Sequence, residues 1–144
     1  GAISAYAYLG DVGNSVTGDK RAQAFEDAYL DELFAYLKKL GFRAVTYMPS
    51  RNTGGQLARV RALCEALGFM QISGEDINSP RQNFVCRAMR TEAYQNLVEA
   101  AWALIGHENA ARGLFSPAVE AETPELAARI QTYARLGRET RIGR

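Results

Sequence analysis

A single histidine, His107, stands in the 144-residue chain. That excludes a self-contained zinc site of the His-rich kind, which usually needs two or three imidazoles. Cysteine is nearly as scarce, with Cys64 and Cys86 far apart and in neither a CxxC nor a zinc-ligand spacing. The pair reads as reduced thiols of a cytoplasmic protein, with Cys64 on the apolar stripe of an expected helix. No run of about 18 apolar residues and no charged-then-apolar leader occurs, so neither a membrane span nor a signal peptide is supported. No GxSxG is present, and no Cys beside a His marks a nucleophile. Charge of one sign is missing as well. The 17 basic and 16 acidic residues leave a net charge of +1, without a general drive towards nucleic acid or anionic lipid. The one basic cluster, Arg135, Arg138, Arg141 and Arg144, reads as a solvated helix end that complements the helix dipole.

What is present is the material of one globular domain, with 47% apolar and 23% charged residues. The chain opens Gly-Ala-Ile-Ser, without an initiator Met and inside an apolar run, which suggests an artificial boundary or a processed fragment. Residues 2–9 (AISAYAYL) read as a buried strand ending at Gly-Asp. The Gly-, Asn- and Ser-rich stretch after it reads as loop. From about Arg21, the residues Phe25, Leu30, Leu33, Leu37 and Leu40 form one stripe, with Glu26, Asp27, Asp31, Glu32 and Lys38 on the other face. That pattern predicts an amphipathic helix stopped by Gly41. Residues 43–48 read as a second strand. Leu57, Val60, Leu63, Cys64 and Leu67 give a second helix closed by Gly68, and residues 69–73 a third strand.

A further helix is expected over residues 91–105, with Tyr94, Leu97, Val98, Ala101, Trp102 and Ile105 on its apolar side. A last one follows the cap Thr123-Pro124-Glu125 and stops at Gly137. Strands alternating with helices argue for parallel strands joined by right-handed crossovers, hence an α/β fold with a C-terminal helix. We expect one domain, residues 1–110 forming its strand–helix part and 111–144 a closing loop and helix. Three strands are few for a sheet that needs helices on both faces. The chain would therefore belong to a barrel, or pair with a second copy.

Ligands of such folds gather at the carboxyl ends of the strands. Three loops qualify: residues 10–20, 49–55 and 74–82. The first resembles a P-loop but fails as one, because Asp19 separates Gly18 from Lys20 and Arg21 follows. Its Asp11 is either a polar residue of the mouth or the acceptor of an Asx turn or cap. In the second loop, Arg51 and Asn52 stand where a strand ends. Arginine there either grips a carboxylate or phosphate or makes a surface ion pair, and Thr53 is as readily the cap of the next helix. The third loop, GEDINSPRQ, carries adjacent acids. Strand alternation sends Glu75 and Asp76 to opposite sides, and Asn78 shares the side of Asp76. A carboxylate with an amide carbonyl suits a hard or borderline divalent cation. Arg81 either holds an anionic substrate or balances the acids. His107, beside Glu108, is either a helix-end histidine or a metal or acid–base residue.

The stretches Ala5-Tyr6-Ala7-Tyr8-Leu9-Gly10-Asp11, Thr46-Tyr47-Met48-Pro49-Ser50-Arg51-Asn52-Thr53 and Ser73-Gly74-Glu75-Asp76-Ile77-Asn78 together resemble the C-terminal part of a PHP-domain protein. PHP proteins, the polymerase-and-histidinol-phosphatase group, are metal-dependent phosphoesterases built as distorted βα barrels. The resemblance covers residues 2 to about 110. It implies a cluster of zinc, manganese or iron held at the strand ends, and hydrolysis of a small phosphorylated substrate by metal-activated water. The family's Gly-x-Asp-x-His frame falls on Gly74, Asp76 and Asn78. Asp76 thereby inherits a metal-ligand role, with Glu75 or His107 as further candidates and Arg51 or Arg81 for the phosphate. Asn78 stands where histidine is expected, and the family's early His-x-His motif is absent. The resemblance therefore implies a portion of the enzyme, inactive alone and partnered by the remainder of its polypeptide. Two other readings stand beside it: a non-catalytic α/β domain that forms a homo-oligomer or binds a partner, and a sugar- or carboxylate-handling barrel enzyme in which Arg51 and Asp11 hold the substrate.

Overall fold

The computed structural model describes residues 2–13, 22–75, 80 and 84–142. Its elements are β1 (Ala5–Ala7), α1 (Leu30–Lys39), β2 (Ala44–Tyr47), α2 (Gly54–Leu67), β3 (Met70–Ser73), α3 (Gln95–Asn109), α4 (Pro117–Glu122) and α5 (Leu126–Ile142). Single 3-10 turns lie at Asp27–Tyr29, Arg87–Arg90 and Glu92–Tyr94. The strands form an open parallel sheet in the order β1-β2-β3, with Ala44 beside both Ala5 and Met70. The α/β class expected from the alternating pattern is the class adopted. Packing divides the chain into a sheet unit, Ser4–Ala88, and a helical unit, Gly1–Ile3 with Met89–Arg144.

In the sheet unit the consecutive strand order decides where the helices go. Each right-handed crossover places its helix on the same face, so α1 and α2 lie side by side and pack on each other. Leu30, Phe34 and Leu37 of α1 and Leu57, Val60 and Cys64 of α2 are buried. The Phe34 ring meets Phe69 edge to face, with centroids 5.8 Å apart. Burial pushes the Cys64 thiol up to about 12, an inert core thiol as its place on the stripe implied. In the central strand, Ala44, Val45 and Tyr47 are fully buried. β1 has one neighbour, so Ala5 and Ala7 are exposed rather than in the buried strand expected over residues 2–9. Pairing continues past its ends, where the Ser4 carbonyl accepts from the Arg43 and Ala44 amides and the Tyr8 amide donates to the Thr46 carbonyl at 2.9 Å.

α2 begins and ends as its sequence foretells. The Thr53 hydroxyl accepts from the Gln56 amide while the Gln56 side chain accepts from the Thr53 amide, a capping box, and Gly68 closes the helix with φ 68°. α1 begins later than its stripe suggested, at Leu30 rather than near Arg21. The reason is competition for backbone groups. Gln23 exchanges two hydrogen bonds with Val12, and the Asp11 carboxylate takes the Phe25 amide.

In the helical unit α3 and α5 pack along most of their length. The buried seam of α3 is Leu97, Ala100, Ala103 and Gly106, whereas Ala101, placed on the apolar side by the large-residue stripe, is exposed. Small residues make the seam because the backbones nearly touch. A Cβ on Gly106 would sit 1.9 Å from the Tyr133 carbonyl oxygen, and one on Gly137 would sit 2.1 Å from that of Trp102. Gly137 is thus a contact residue inside α5, not the stop expected there. The helix α4 was not anticipated, although Ser116-Pro117 is a helix start of the same type as the one recognised at Thr123-Pro124. Arg129 ties the α4–α5 elbow by donating to the Thr123 and Pro124 carbonyls at 2.9 and 3.1 Å. Of the basic cluster, Arg138 donates two hydrogen bonds to the Glu99 carboxylate and lies over Trp102, and Arg135 faces Glu139. Among the described residues no helix is long and apolar enough to cross a membrane.

This close crossing fixes the sign of one substitution. At a free helix position Gly→Ala stabilises by about 1 kcal/mol. At Gly106 it should instead cost about 1–3 kcal/mol or more through overpacking against backbone. Thermal unfolding of Gly106→Ala checks this, and a raised Tm would contradict the crossing.

Candidate functional site

Three parallel strands that end in the same direction bring Tyr8–Asp11, Met48–Asn52 and Gly74–Glu75 to the carboxyl edge of the sheet. At that edge the chain leaves its ladder, and its amides need new acceptors. Acidic side chains supply them. Glu26, only 3% exposed, accepts through Oε1 from the Leu9 amide at 2.7 Å and the Gly10 amide at 3.4 Å. Asp27 accepts from the Asp11 amide at 2.9 Å and the Gln56 side chain at 2.7 Å on Oδ2, and from the Tyr8 hydroxyl at 2.5 Å on Oδ1. Asp11 replies in the opposite direction, its Oδ1 accepting from the Phe25 amide at 2.6 Å and the Asp27 amide at 3.5 Å. Two chain segments are thus clamped by reciprocal carboxylate–amide bonds, the strong charge-assisted kind.

The second strand end joins the same clamp. Asn52, 8% exposed, donates to the Leu9 carbonyl at 2.7 Å and accepts from the Met48 amide at 2.9 Å. Gln56, already half of the capping box, donates to the Asp11 carbonyl at 2.8 Å. Gly10 lies where these side chains converge. Its φ is 72°, and a Cβ there would come within 2.8 Å of both Gln56 Nε2 and the Tyr8 hydroxyl and 2.9 Å of Asn52 Nδ2. At the third strand end Glu75 accepts from the Ser50 amide at 2.8 Å and from the Ser50 hydroxyl.

Electrostatics follow from this bonding. Burial pushes the Asp27 carboxyl up, but hydrogen bonds from Tyr8, Gln56 and the Asp11 amide, with the charge of Arg59, outweigh it and leave it below its ordinary 3.8. Burial raises the Tyr8 hydroxyl, and its bond to Asp27 raises it further, so it remains a donor at every physiological pH. Arg59 donates to the Asp27 carbonyl at 2.6 Å and pairs with Asp31. Arg51 places its guanidinium 5.9 Å from the centroid of the Phe25 ring.

The residues expected from the sequence are therefore distributed unequally. Asp11, Arg51, Asn52 and Glu75 all stand at strand ends of the sheet unit. Asp11 takes the cap-like role that was one of its two readings, and Asn52 has both ends of its amide on backbone groups. Asp76, Asn78 and Arg81 lie outside the described residues. His107 belongs to the helical unit, in the last turn of α3, where its Nδ1 accepts from the Leu114 amide at 2.9 Å. Glu26, Asp27 and Gln56 escaped the sequence reading. The first two were assigned to a solvated helix face, and Gln56 carried a signal in its spacing three residues after Thr53.

No protein-family model, curated protein or solved structure matches the chain. Among the described residues no group of three or more His, Cys, Asp and Glu side chains is placed to hold a metal ion. The bonding explains this, since Asp11, Glu26, Asp27 and Glu75 already accept from N–H or O–H donors. The described residues alone do not fit the metal cluster that the resemblance implies.

Gly10→Ala should destabilise the sheet unit by at least about 1–3 kcal/mol, because it joins a left-handed backbone to three polar close contacts. Urea unfolding measures it, and an unchanged midpoint would contradict the convergence at Gly10. For Asp27 the sign is that of a depressed carboxyl. Its stabilisation is present above the unfolded pKa and is lost as pH falls through the lower folded value. Asp27→Asn should therefore lower stability at neutral pH and make the remaining stability less sensitive to acid below about pH 4. Parallel unfolding curves for the two proteins at every pH would contradict the clamp.

Proposed function

We propose that this chain is the C-terminal portion of a PHP-like metal-dependent phosphoesterase. In this reading Asp76 supplies one ligand to a divalent cation, zinc, manganese or iron, and Arg51 contacts the phosphate of a small substrate. The remaining ligands come from outside residues 1–144. The observation that carries the reading is the sheet edge itself: three parallel strands end together, and the described residues at their ends are tied to one another by hydrogen bonds, as a rim for ligand binding requires. Glu75 is taken up by Ser50, so the ligand role in the acid pair falls to Asp76. Arg51 is anchored over Phe25 and has no acidic partner among the described residues. Weak metal retention follows from Asn78 in the place of histidine, because an amide binds zinc-like metals far less well than imidazole does.

One observation favours the non-catalytic alternative, an α/β domain whose role is binding. Every described carboxylate at the rim has structural donors, which is what a rim built for shape rather than chemistry would have. Metal content separates the two readings without relying on turnover. After incubation with zinc or manganese and desalting, we expect Asp76→Ala to retain less metal than the parent chain and Asn78→His to retain more. If neither substitution changes the metal content, the metal-dependent reading fails. We also expect negligible hydrolysis of a generic phosphoester by the chain alone with either metal. Robust turnover would contradict the reading of an incomplete site.

A further inference from the structure

The side of the sheet unit at β1 leaves two surfaces open. The first is a strand edge. Ser4 and Tyr8 bond to β2 on one side, so by the alternation of a parallel ladder Ala5 and Ala7 aim their amides and carbonyls away from the sheet. No described strand lies beyond β1. Apart from its shortness the edge has little protection, since residues 2–9 hold no charge, no proline and no bulge-forming glycine.

The second surface is an apolar flank of α1. Tyr36 and the residue that caps the helix, Leu40, are 65% and 70% exposed. They stand four residues apart, so they share one flank, and Tyr29, 52% exposed, lies in the 3-10 turn before the helix. Asp31, bonded to Arg59 of α2, and Lys38, over the Phe69 ring, mark the flank towards α2. At about 100° per residue the tyrosine flank is opposite to that one, with the buried Leu30, Phe34 and Leu37 between them. It therefore faces out on the β1 side.

We propose that this side is an interface between two copies of the chain, related by a twofold axis perpendicular to the sheet. β1 pairs antiparallel with β1 of the partner, and α1 lies antiparallel to the partner's α1, which fills both open surfaces at once and joins two three-stranded sheets into one. Charge favours this occupant. Of the charged residues in the first and last turns of α1, Glu32 and Lys39 border the stripe, whereas Asp31 and Lys38 are engaged on the flank towards α2. Antiparallel helices therefore set Glu32 of each copy towards Lys39 of the other. The inference is independent of the metal-site reading, because Ala5, Ala7, Tyr36 and Leu40, which would make the contact, are not among the residues proposed to meet metal or phosphate.

Size-exclusion chromatography with light scattering tests it on the full chain. At high micromolar concentration we expect twice the 15.8 kDa chain mass. Two variants address the two surfaces. Tyr36→Glu puts charge into the stripe at an exposed position, and Ala5→Pro removes an amide that points away from β2. Each should give the monomer mass with an unchanged circular-dichroism spectrum. Tyr36→Cys should link copies through a disulfide under mild oxidation, since that residue meets its own counterpart near the axis. A monomeric parent chain overturns the proposal and leaves the edge to another segment of a longer polypeptide. A dimer that both variants leave intact overturns it too, because the contact must then lie elsewhere.

Discussion

The end of β1 obliges three consecutive amides, those of Leu9, Gly10 and Asp11, to find acceptors after the sheet ladder has stopped. Buried amides without acceptors are costly, and the chain meets the demand with Glu26 and Asp27 rather than with water. Much of the rim follows from this one requirement. The segment before α1 must run beside β1, which delays the helix to Leu30. Gly10 must be glycine, because the clamp leaves no room for a side chain and holds φ at 72°. Asn52 and Gln56 complete the same network from the second strand and its helix, so the first two strand ends share one set of hydrogen bonds.

This bonding also shapes what the rim offers a ligand. Carboxylates that hold backbone amides are poor candidates for a metal, since binding an ion would take them from their donors. Among the described residues of the rim, Arg51 is the charged group with the fewest structural duties, carried on the Phe25 ring. Among the described residues the rim is mostly acidic, with the Arg51 guanidinium as the cation on it. The helical unit has a different logic. Its two long helices are held by backbone proximity at Gly106 and Gly137, and the Arg129 bonds fix the elbow that leads into α5.

The architecture was legible where a local signal and the tertiary demand agree. α2 shows it best, because Thr53 with Gln56, the stripe from Leu57 to Leu67 and Gly68 all state one helix, and that helix forms. Reading failed where long-range bonds compete with local pattern. Glu26 and Asp27 sit in a helical spacing, yet amides fifteen or so residues earlier claim their carboxylates. The α3 seam was misread for a related reason. Periodicity favours large apolar residues, whereas the close crossing of α5 selects Ala100, Ala103 and Gly106. Of the candidate site, the positions at the strand ends were legible from topology alone. Their roles were not, because whether Asp11 or Asn52 faces a ligand or a backbone group depends on partners more than ten residues away for the one and more than forty for the other.

The claim that the rim acids act as a clamp rests most directly on the ionisation of Asp27. Carbon-13 NMR of the side-chain carboxyls, followed from neutral to acid pH, reads it in the folded protein. Asp27 should titrate below the ordinary 3.8 of a free aspartate, with the amide signal of Asp11, which donates to it, shifting in the same pH range. A midpoint at or above that value, with that amide unmoved, would contradict the clamp.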